Sequence, residues 1–171
     1  MDGDVAPVDA LLDLAERYDA WLYLDDAHGF GVLNGGRGGL TERARASDRV
    51  IYLATLGKAA GVAGAAVAAH ESVIDWLIQK ARPYIYTTAS PPLLAACLLE
   101  SLRQIEAGDA RRARLAAHVV QLRDGLAGIK AGTLLASGTP IQPFVVGANA
   151  EAMRLSSALL ARGLLVPAIR T

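Results

Sequence analysis

The sequence predicts an α/β protein in which helices lie on the faces of a parallel or mixed sheet. Stretches with apolar side chains at helical spacing alternate with short apolar runs. Within these runs apolar and polar residues do not alternate. Such runs are typical of strands that are covered by helices on both faces. The 171 residues are 53% hydrophobic, which is enough apolar material to form a sizeable core.

The N-terminal part of the chain predicts one helix, three strands and a long loop. Apolar spacing over residues 8–18 predicts the helix. The runs 20–24, 49–54 and 63–69 predict strands that are buried on both faces. Between the first two strands, residues 29–39 contain six glycines and predict a loop.

The rest of the chain predicts four helices, at residues 72–81, 93–107, 109–126 and 150–161, and three strands, at residues 84–86, 140–146 and 164–169. We expect residues 1–130 to belong to a large domain. Residues 131–171 then begin a small α+β domain that is incomplete, because so short a piece cannot bury a core of its own. Neither end has the pattern of a domain edge, so we expect an internal fragment of a longer protein.

Composition and charge exclude several classes of function. The 17 basic and 17 acidic side chains leave no net charge, which disfavours nucleic acid and membrane surfaces as partners. Cys97 is the sole cysteine, so neither a disulfide framework nor a thiolate metal cluster is expected. No apolar run is long enough to span a bilayer. These features favour a cytoplasmic protein without a metal site.

Chemically active side chains follow two of the predicted strands. Asp25 and His28 come after the strand at 20–24, and Thr55 and Lys58 come at the end of the next strand. Ligands of open α/β sheets bind beyond the carboxyl ends of the strands. A lysine amine that forms a Schiff base and a carboxylate that keeps a pyridine nitrogen protonated are what pyridoxal phosphate (PLP) requires. We therefore expect a PLP site at this edge.

Each of these features also has an ordinary interpretation. An Asp-x-x-His pair is commonly a surface pair or a helix cap, and a lysine in a glycine-rich loop is commonly a solvated turn residue. A nucleotide-binding module is a further alternative. However, residues 29–39 contain neither the Gly-x-Gly-x-x-Gly fingerprint nor the Gly-Lys-Ser/Thr ending of a phosphate loop.

The motifs taken together resemble one family. They are Met-Asp-Gly-Asp at 1–4, Asp-Asp-Ala-His-Gly-x-Gly at 25–31, Gly-Arg-Gly at 36–38, Thr-x-Gly-Lys-x-x-Gly at 55–61 and Tyr-Ile-Tyr-Thr-Thr at 84–88. Their order and separations resemble those of the α-oxoamine synthases over essentially the whole chain. These are PLP-dependent transferases of fold type I that condense an amino acid with an acyl thioester and release carbon dioxide.

The resemblance implies a role for each matching residue. Asp25 would pair with the pyridine nitrogen, His28 would bond to the phenolic oxygen, and Lys58 would form the Schiff base and then act as the general acid and base. The remaining roles are phosphate binding by Thr55, phosphate binding in a neighbouring subunit by Thr87 and Thr88, and substrate-carboxylate binding by Arg170.

The resemblance also implies fold, partners and limits. Residues 1–130 would be the C-terminal half of the PLP-binding large domain, and residues 131–171 the start of the small domain. The partners would be an amino acid, an acyl-CoA or acyl-carrier-protein thioester, and a second subunit in a homodimer with a shared active site. The family's cofactor-stacking histidine is absent, so we expect this span to be incomplete for activity. A non-catalytic fragment of such an enzyme is the alternative.

Overall fold

Two units make up the part of the chain that the computed structural model describes, residues 2–170. The first unit consists of residues 5–112, and the second consists of residues 2–4 together with residues 113–170. The domain division expected at residues 130–131 stays a prediction.

The helices are α1 (Val8–Arg17), α2 (Glu42–Arg45), α3 (Glu71–Lys80), α4 (Arg82–Ile85), α5 (Pro92–Glu106), α6 (Asp109–Leu126) and α7 (Asn149–Leu160). The strands are β1 (Leu22–Asp25), β2 (Val50–Thr55), β3 (Ala65–Ala68), β4 (Thr133–Leu134) and β5 (Phe144–Val145). None of the described helices is long and apolar enough to cross a membrane.

The first unit is organised by a three-stranded mixed sheet of order β1-β2-β3. β1 and β2 are parallel, with Leu22 opposite Val50 and Asp25 opposite Leu53. β3 runs antiparallel to β2 and brings Ala65 opposite Thr55. The three long predicted strands are thus confirmed as one sheet of mixed direction.

Helices α1 and α2 cover one face of this sheet with a small core. Leu12 on α1 is fully buried and packs with Val8, Ala44 and Val50. Partly buried side chains of the two strands and of the loop lie against this cluster: Leu22, Leu24, Leu40 and Tyr52. Burial of these apolar surfaces is the main term that fixes α1 on the sheet.

Polar contacts fasten α2 to α1 at the surface. The Arg43 guanidinium lies 2.5 Å from Asp13 Oδ1 and 2.6 Å from Glu16 Oε2. Thr41 caps the start of α2 by accepting a hydrogen bond from the Ala44 amide at 3.1 Å, and its hydroxyl donates to Asp9 at 2.5 Å. The carboxylates raise the pKa of the Arg43 guanidinium, so this group stays charged.

The second unit is held by a polar turn at residues 137–142. The hydroxyls of Ser137 and Thr139 both donate to the Gly3 carbonyl, at 2.8 and 3.2 Å. Gly3 has a φ of +78°, and a Cβ there would lie 2.3 Å from the Ile141 carbonyl oxygen, so only glycine fits. Gln142 closes the turn by donating to the Thr139 carbonyl at 2.6 Å.

Two of the predicted strands, at residues 84–86 and 164–169, are wrong. Residues 82–85 form the short helix α4, in which the amides of Tyr84 and Ile85 donate to the Ala81 carbonyl. Pro83 favours a first helical turn, because its fixed φ suits the helix and its missing N–H would be unpaired there in any case. Residues 164–169 have no regular secondary structure and pair with no strand among the described residues, and the Leu164 amide donates back to the Leu159 carbonyl.

The strand expected at 140–146 is much shorter than predicted. Only Phe144 and Val145 join a ladder, with the unpredicted β4. Pro140 and Pro143 have no N–H to donate to a ladder, which limits pairing in this segment.

The expectation that the strands are buried on both faces is wrong for β1 and β3, whereas every residue of β2 is buried or half-buried. Trp21 and Tyr23 are each 56% exposed, while Leu22 and Leu24 lie against the core, so β1 is covered on one face only. All four residues of β3 are exposed.

We expect Leu12→Ala to lower the free energy of unfolding of the full chain by about 2–5 kcal/mol, because it leaves a cavity beneath α1. Leu14→Ala on the same helix is the matched control. Leu14 is 45% exposed, so its truncation is expected to change the same quantity by no more than about 0.5 kcal/mol. Urea unfolding measures both, and equal losses would contradict the packing described above.

Candidate active site

The carboxyl ends of β1 and β2 form one edge of the sheet, because the two strands are parallel neighbours. β1 ends at Asp25 and β2 ends at Thr55. Asp25 lies opposite Leu53, so the turn after β1 runs beside the last residues of β2. This edge is where ligands of α/β sheets bind.

The backbone N–H and carbonyl of Ala27 form hydrogen bonds with residues at the ends of the two strands. Its N–H donates to Asp25 Oδ1 at 3.0 Å, which is a local turn typical of aspartate. Its carbonyl accepts a hydrogen bond from Thr55 Oγ1 at 3.3 Å. The structure thus brings Asp25 and Thr55 together through Ala27, and His28 follows directly in the chain. Asp25 Oδ2 is not used by this turn.

Lys58 lies in a tight loop that returns the chain from β2 to β3. The Leu56 amide donates to the Gly64 carbonyl at 2.9 Å, and the Gly61 amide donates to the Lys58 carbonyl at 3.0 Å. From α5, Ser101 Oγ donates to the Ala60 carbonyl at 2.7 Å. The backbone of Lys58 is therefore fixed, whereas its side chain is exposed.

The predicted residues at this edge are more exposed than the sequence suggested. Asp25, His28 and Lys58 are all exposed, and Thr55 is half-buried. One face of β1 is open, so nothing in the described residues dehydrates the edge. A carboxylate, an imidazole, an amine and a hydroxyl remain accessible there to a ligand.

The other predicted site residues lie elsewhere. Thr87 follows α4 and its hydroxyl donates to the Pro83 carbonyl. Thr88 is exposed in the next turn, and no hydrogen bond of the described residues joins either threonine to the strand-end group. Arg170 is exposed and directly follows residues 164–169 in the second unit.

Sequence reasoning missed the side chain that closes the glycine loop. Asp26 Oδ2 accepts hydrogen bonds from Tyr52 Oη at 2.7 Å and from the Gly39 amide at 2.9 Å. Partial burial raises the pKa of the Tyr52 phenol, and the hydrogen bond to Asp26 raises it further. The second aspartate of the Asp-Asp pair was the available signal, because successive side chains at a strand end point in opposite directions.

A mixed α/β sheet with an amine, a carboxylate and a hydroxyl at its carboxyl edge defines a class of cofactor-binding transferases. The chain belongs to the family of class I and II aminotransferases, whose model matches residues 1–171.

Two curated relatives show a more particular likeness. The 8-amino-7-oxononanoate synthase of Thiobacillus denitrificans is 80% identical over 171 residues, which are 100% of this chain and 44% of the relative. The synthase of the same name from Aromatoleum aromaticum is 59% identical over 99% of this chain and 44% of its own length. The chain thus spans less than half of the curated relatives that it matches.

Solved structures share the fold. The 8-amino-7-oxononanoate synthase of Francisella tularensis matches with a TM-score of 0.78 and 34% identity, over 94% of this chain and 49% of its own. A serine palmitoyltransferase from S. paucimobilis with a bound PLP–myriocin aldimine matches with a TM-score of 0.87 and 25% identity, over 98% of this chain and 44% of its own. The predicted fold class, that of type I PLP-dependent transferases, is confirmed.

We expect stability to fall more steeply at alkaline pH in the wild-type chain than in Tyr52→Phe. The folded state raises the pKa of Tyr52 above the unfolded value of about 10. Its contribution is therefore fully present below about pH 10 and is lost as the pH rises beyond that value. Tyr52→Phe has no such proton to lose.

Urea unfolding of the full chain at a series of pH values measures this difference. Tyr84→Phe is the matched control, because Tyr84 is 65% exposed. Its curve is expected to run parallel to that of the wild type. A parallel curve for Tyr52→Phe would show that the folded state does not hold the phenolic proton.

Proposed function

We propose that this chain is part of an 8-amino-7-oxononanoate synthase of biotin biosynthesis. In this reaction L-alanine condenses with a pimeloyl thioester, and carbon dioxide and the thiol are released. The observation that carries the proposal is that Asp25, Thr55 and Lys58 lie at one sheet edge, where the hydrogen bonds of Ala27 join Asp25 to Thr55. The identities of 80% and 59% to synthases of this name support it.

The side chains at this edge suit PLP chemically. Asp25 Oδ2 would accept from the pyridinium N–H, the Lys58 amine matches the aldehyde, and Thr55 Oγ1 would donate to the phosphate in place of the Ala27 carbonyl that it bonds at 3.3 Å. His28 adds an imidazole for the phenolic oxygen. When bound, PLP supplies an electron-withdrawing ring that stabilises negative charge at the α-carbon of an amino acid.

Lys58 moves the proton in the proposed mechanism. Its amine would hold the cofactor before substrate arrives, and the free amine would take the α-proton of alanine and later return one to the product. The tight backbone turn keeps Lys58 at the sheet edge. Its exposed side chain is free to reach first the cofactor and then the α-carbon of the substrate. The carboxylate of Asp25 would accept the N–H of the ring nitrogen and thereby favour the protonated form of that nitrogen.

Residues outside the edge complete the proposal. We assign phosphate binding in a neighbouring subunit to Thr87 and Thr88, and substrate-carboxylate binding to Arg170. The enzyme is then a cytoplasmic homodimer with a shared active site, and its acyl donor is a CoA or carrier-protein thioester. The exposed aromatic side chains of Tyr84 and Tyr86, beside the threonines, support an intersubunit location for this segment.

We expect Lys58→Ala in the full chain to lower turnover by about 10²–10⁴-fold, the usual contribution of a general acid and base. Borohydride reduction of the wild-type protein with PLP should attach the cofactor to the peptide that contains Lys58, as peptide mass spectrometry reports. Lys80→Ala, at the exposed end of α3, is the matched control and should leave both results unchanged. Full turnover by Lys58→Ala would refute the assignment.

A second candidate uses the same chemistry with glycine and acetyl-CoA or succinyl-CoA. The similarity to a serine palmitoyltransferase structure is the observation that favours a different substrate pair. We expect kcat/KM to be highest for L-alanine with the pimeloyl thioester. Steady-state assays of alanine and glycine against several acyl thioesters test this, and a preference for glycine would favour the second candidate.

A further inference from the structure

We infer that Asp26 is a positioning residue: its carboxylate fastens the glycine loop at residues 29–39 to β2 and so fixes the turn that carries His28. The inference rests on the proposed function, in which His28 faces the cofactor. It concerns a carboxylate that is adjacent to Asp25 in sequence but has different partners in the structure.

The backbone of Asp26 joins the sheet to the turn. Its N–H donates to the Leu53 carbonyl at 2.8 Å and thereby extends the pairing of β1 with β2 by one residue. Its carbonyl accepts from the amides of Gly29 and Phe30, at 3.2 and 3.0 Å. The segment with Ala27 and His28 is therefore enclosed between Asp26 and the first residues of the loop.

The side chain of Asp26 fastens the far end of the same loop. Its Oδ2 atom accepts from the Gly39 amide at 2.9 Å and from Tyr52 Oη at 2.7 Å. Tyr52 lies on β2, so one oxygen atom joins the end of the loop to the central strand of the sheet. Hydrogen bonds to a charged acceptor are about twice as strong as neutral ones.

The loop is shaped to surround this carboxylate. A Cβ on Gly38 would lie 1.9 Å from Asp26 Oδ2, and one on Gly29 would lie 2.0 Å from Oδ1. Gly38 also has a φ of +85°, a conformation that favours glycine. These two glycines allow the backbone to approach the carboxylate more closely than any other residue would.

The rest of the loop is held by its own contacts. The Gly31 amide donates to the Gly36 carbonyl at 2.9 Å, and Asn34 Nδ2 donates to the Gly38 carbonyl at 2.8 Å. These contacts hold the loop together internally, and the bonds of Asp26 join its far end to β2. If they are lost, we expect the turn at His28 to loosen while β1 and β2 remain paired.

Two variants separate the roles of the carboxylate. Asp26→Ala removes both side-chain hydrogen bonds. Asp26→Asn keeps an oxygen that can accept from Gly39 and Tyr52 together, since both bonds go to the same atom in the structure. Asp48→Ala is the matched control, because Asp48 is an exposed carboxylate before β2.

The first measurement is amide hydrogen exchange of the full chain without PLP. We expect Asp26→Ala to speed exchange at Gly39 by about tenfold or more, the scale of one hydrogen bond to a charged group. Asp26→Asn should stay within about threefold of the wild type, and Asp48→Ala should match it. Unchanged exchange in Asp26→Ala would overturn the inference. If this variant does not fold, exchange at Gly39 is compared between the wild type and Tyr52→Phe, which removes only the hydrogen bond from Tyr52 to Asp26.

The second measurement uses the protein with PLP bound. We expect Asp26→Ala to weaken PLP binding by about tenfold and to reduce the visible circular dichroism of the bound cofactor, with recovery in Asp26→Asn. Weak binding with an unchanged dichroism band would indicate general destabilisation and overturn the positioning role. Failure of the full-length wild-type protein that contains this chain to bind PLP would refute the proposed function instead, while the exchange result without PLP would still stand.

Discussion

The parallel pairing of β1 with β2 is the constraint on which the rest of the structure depends. It places the turn after Asp25 beside Thr55. The N–H of Ala27 can therefore donate to Asp25 while its carbonyl accepts from Thr55. An antiparallel pairing would move the two strand ends to opposite edges of the sheet. The chemistry proposed for Lys58 depends on the same arrangement, because its loop begins where β2 ends.

Parallel neighbours require a long crossover, and this one is unusual in its composition. A crossover usually contains a substantial helix. Here residues 26–49 contain the glycine loop and the four-residue α2. Since so short a helix buries little surface, polar contacts hold much of the crossover: Asp26 with Tyr52 and Gly39, and Arg43 with Asp13 and Glu16. The turn that carries His28 is thus positioned by hydrogen bonds more than by apolar packing.

Exposed apolar surface marks where the predicted burial and the structure differ. Trp21 just before β1, Tyr23 on β1 and Val67 on β3 are exposed although these segments are apolar in sequence. An apolar run predicts that a strand is buried, but the strand is buried only if a helix or another strand packs on it. The chain spans 44% of its curated relatives, and the described residues cover one face of β1 only.

The sequence by itself determined the local features. The helices near 8–17, 71–80 and 92–106 follow from apolar spacing, and the motifs at 25–31 and 55–61 identify the candidate site residues. Only the tertiary structure decided which groups meet. The bonds of Asp26 to Tyr52 and of Ser101 to Ala60 join residues 26 and 41 positions apart. Such contacts depend on strand register and helix placement, which no local pattern encodes. For the same reason residues 164–169 found no strand partner within the described chain, whereas the short helix at 82–85 had a local signal in Pro83.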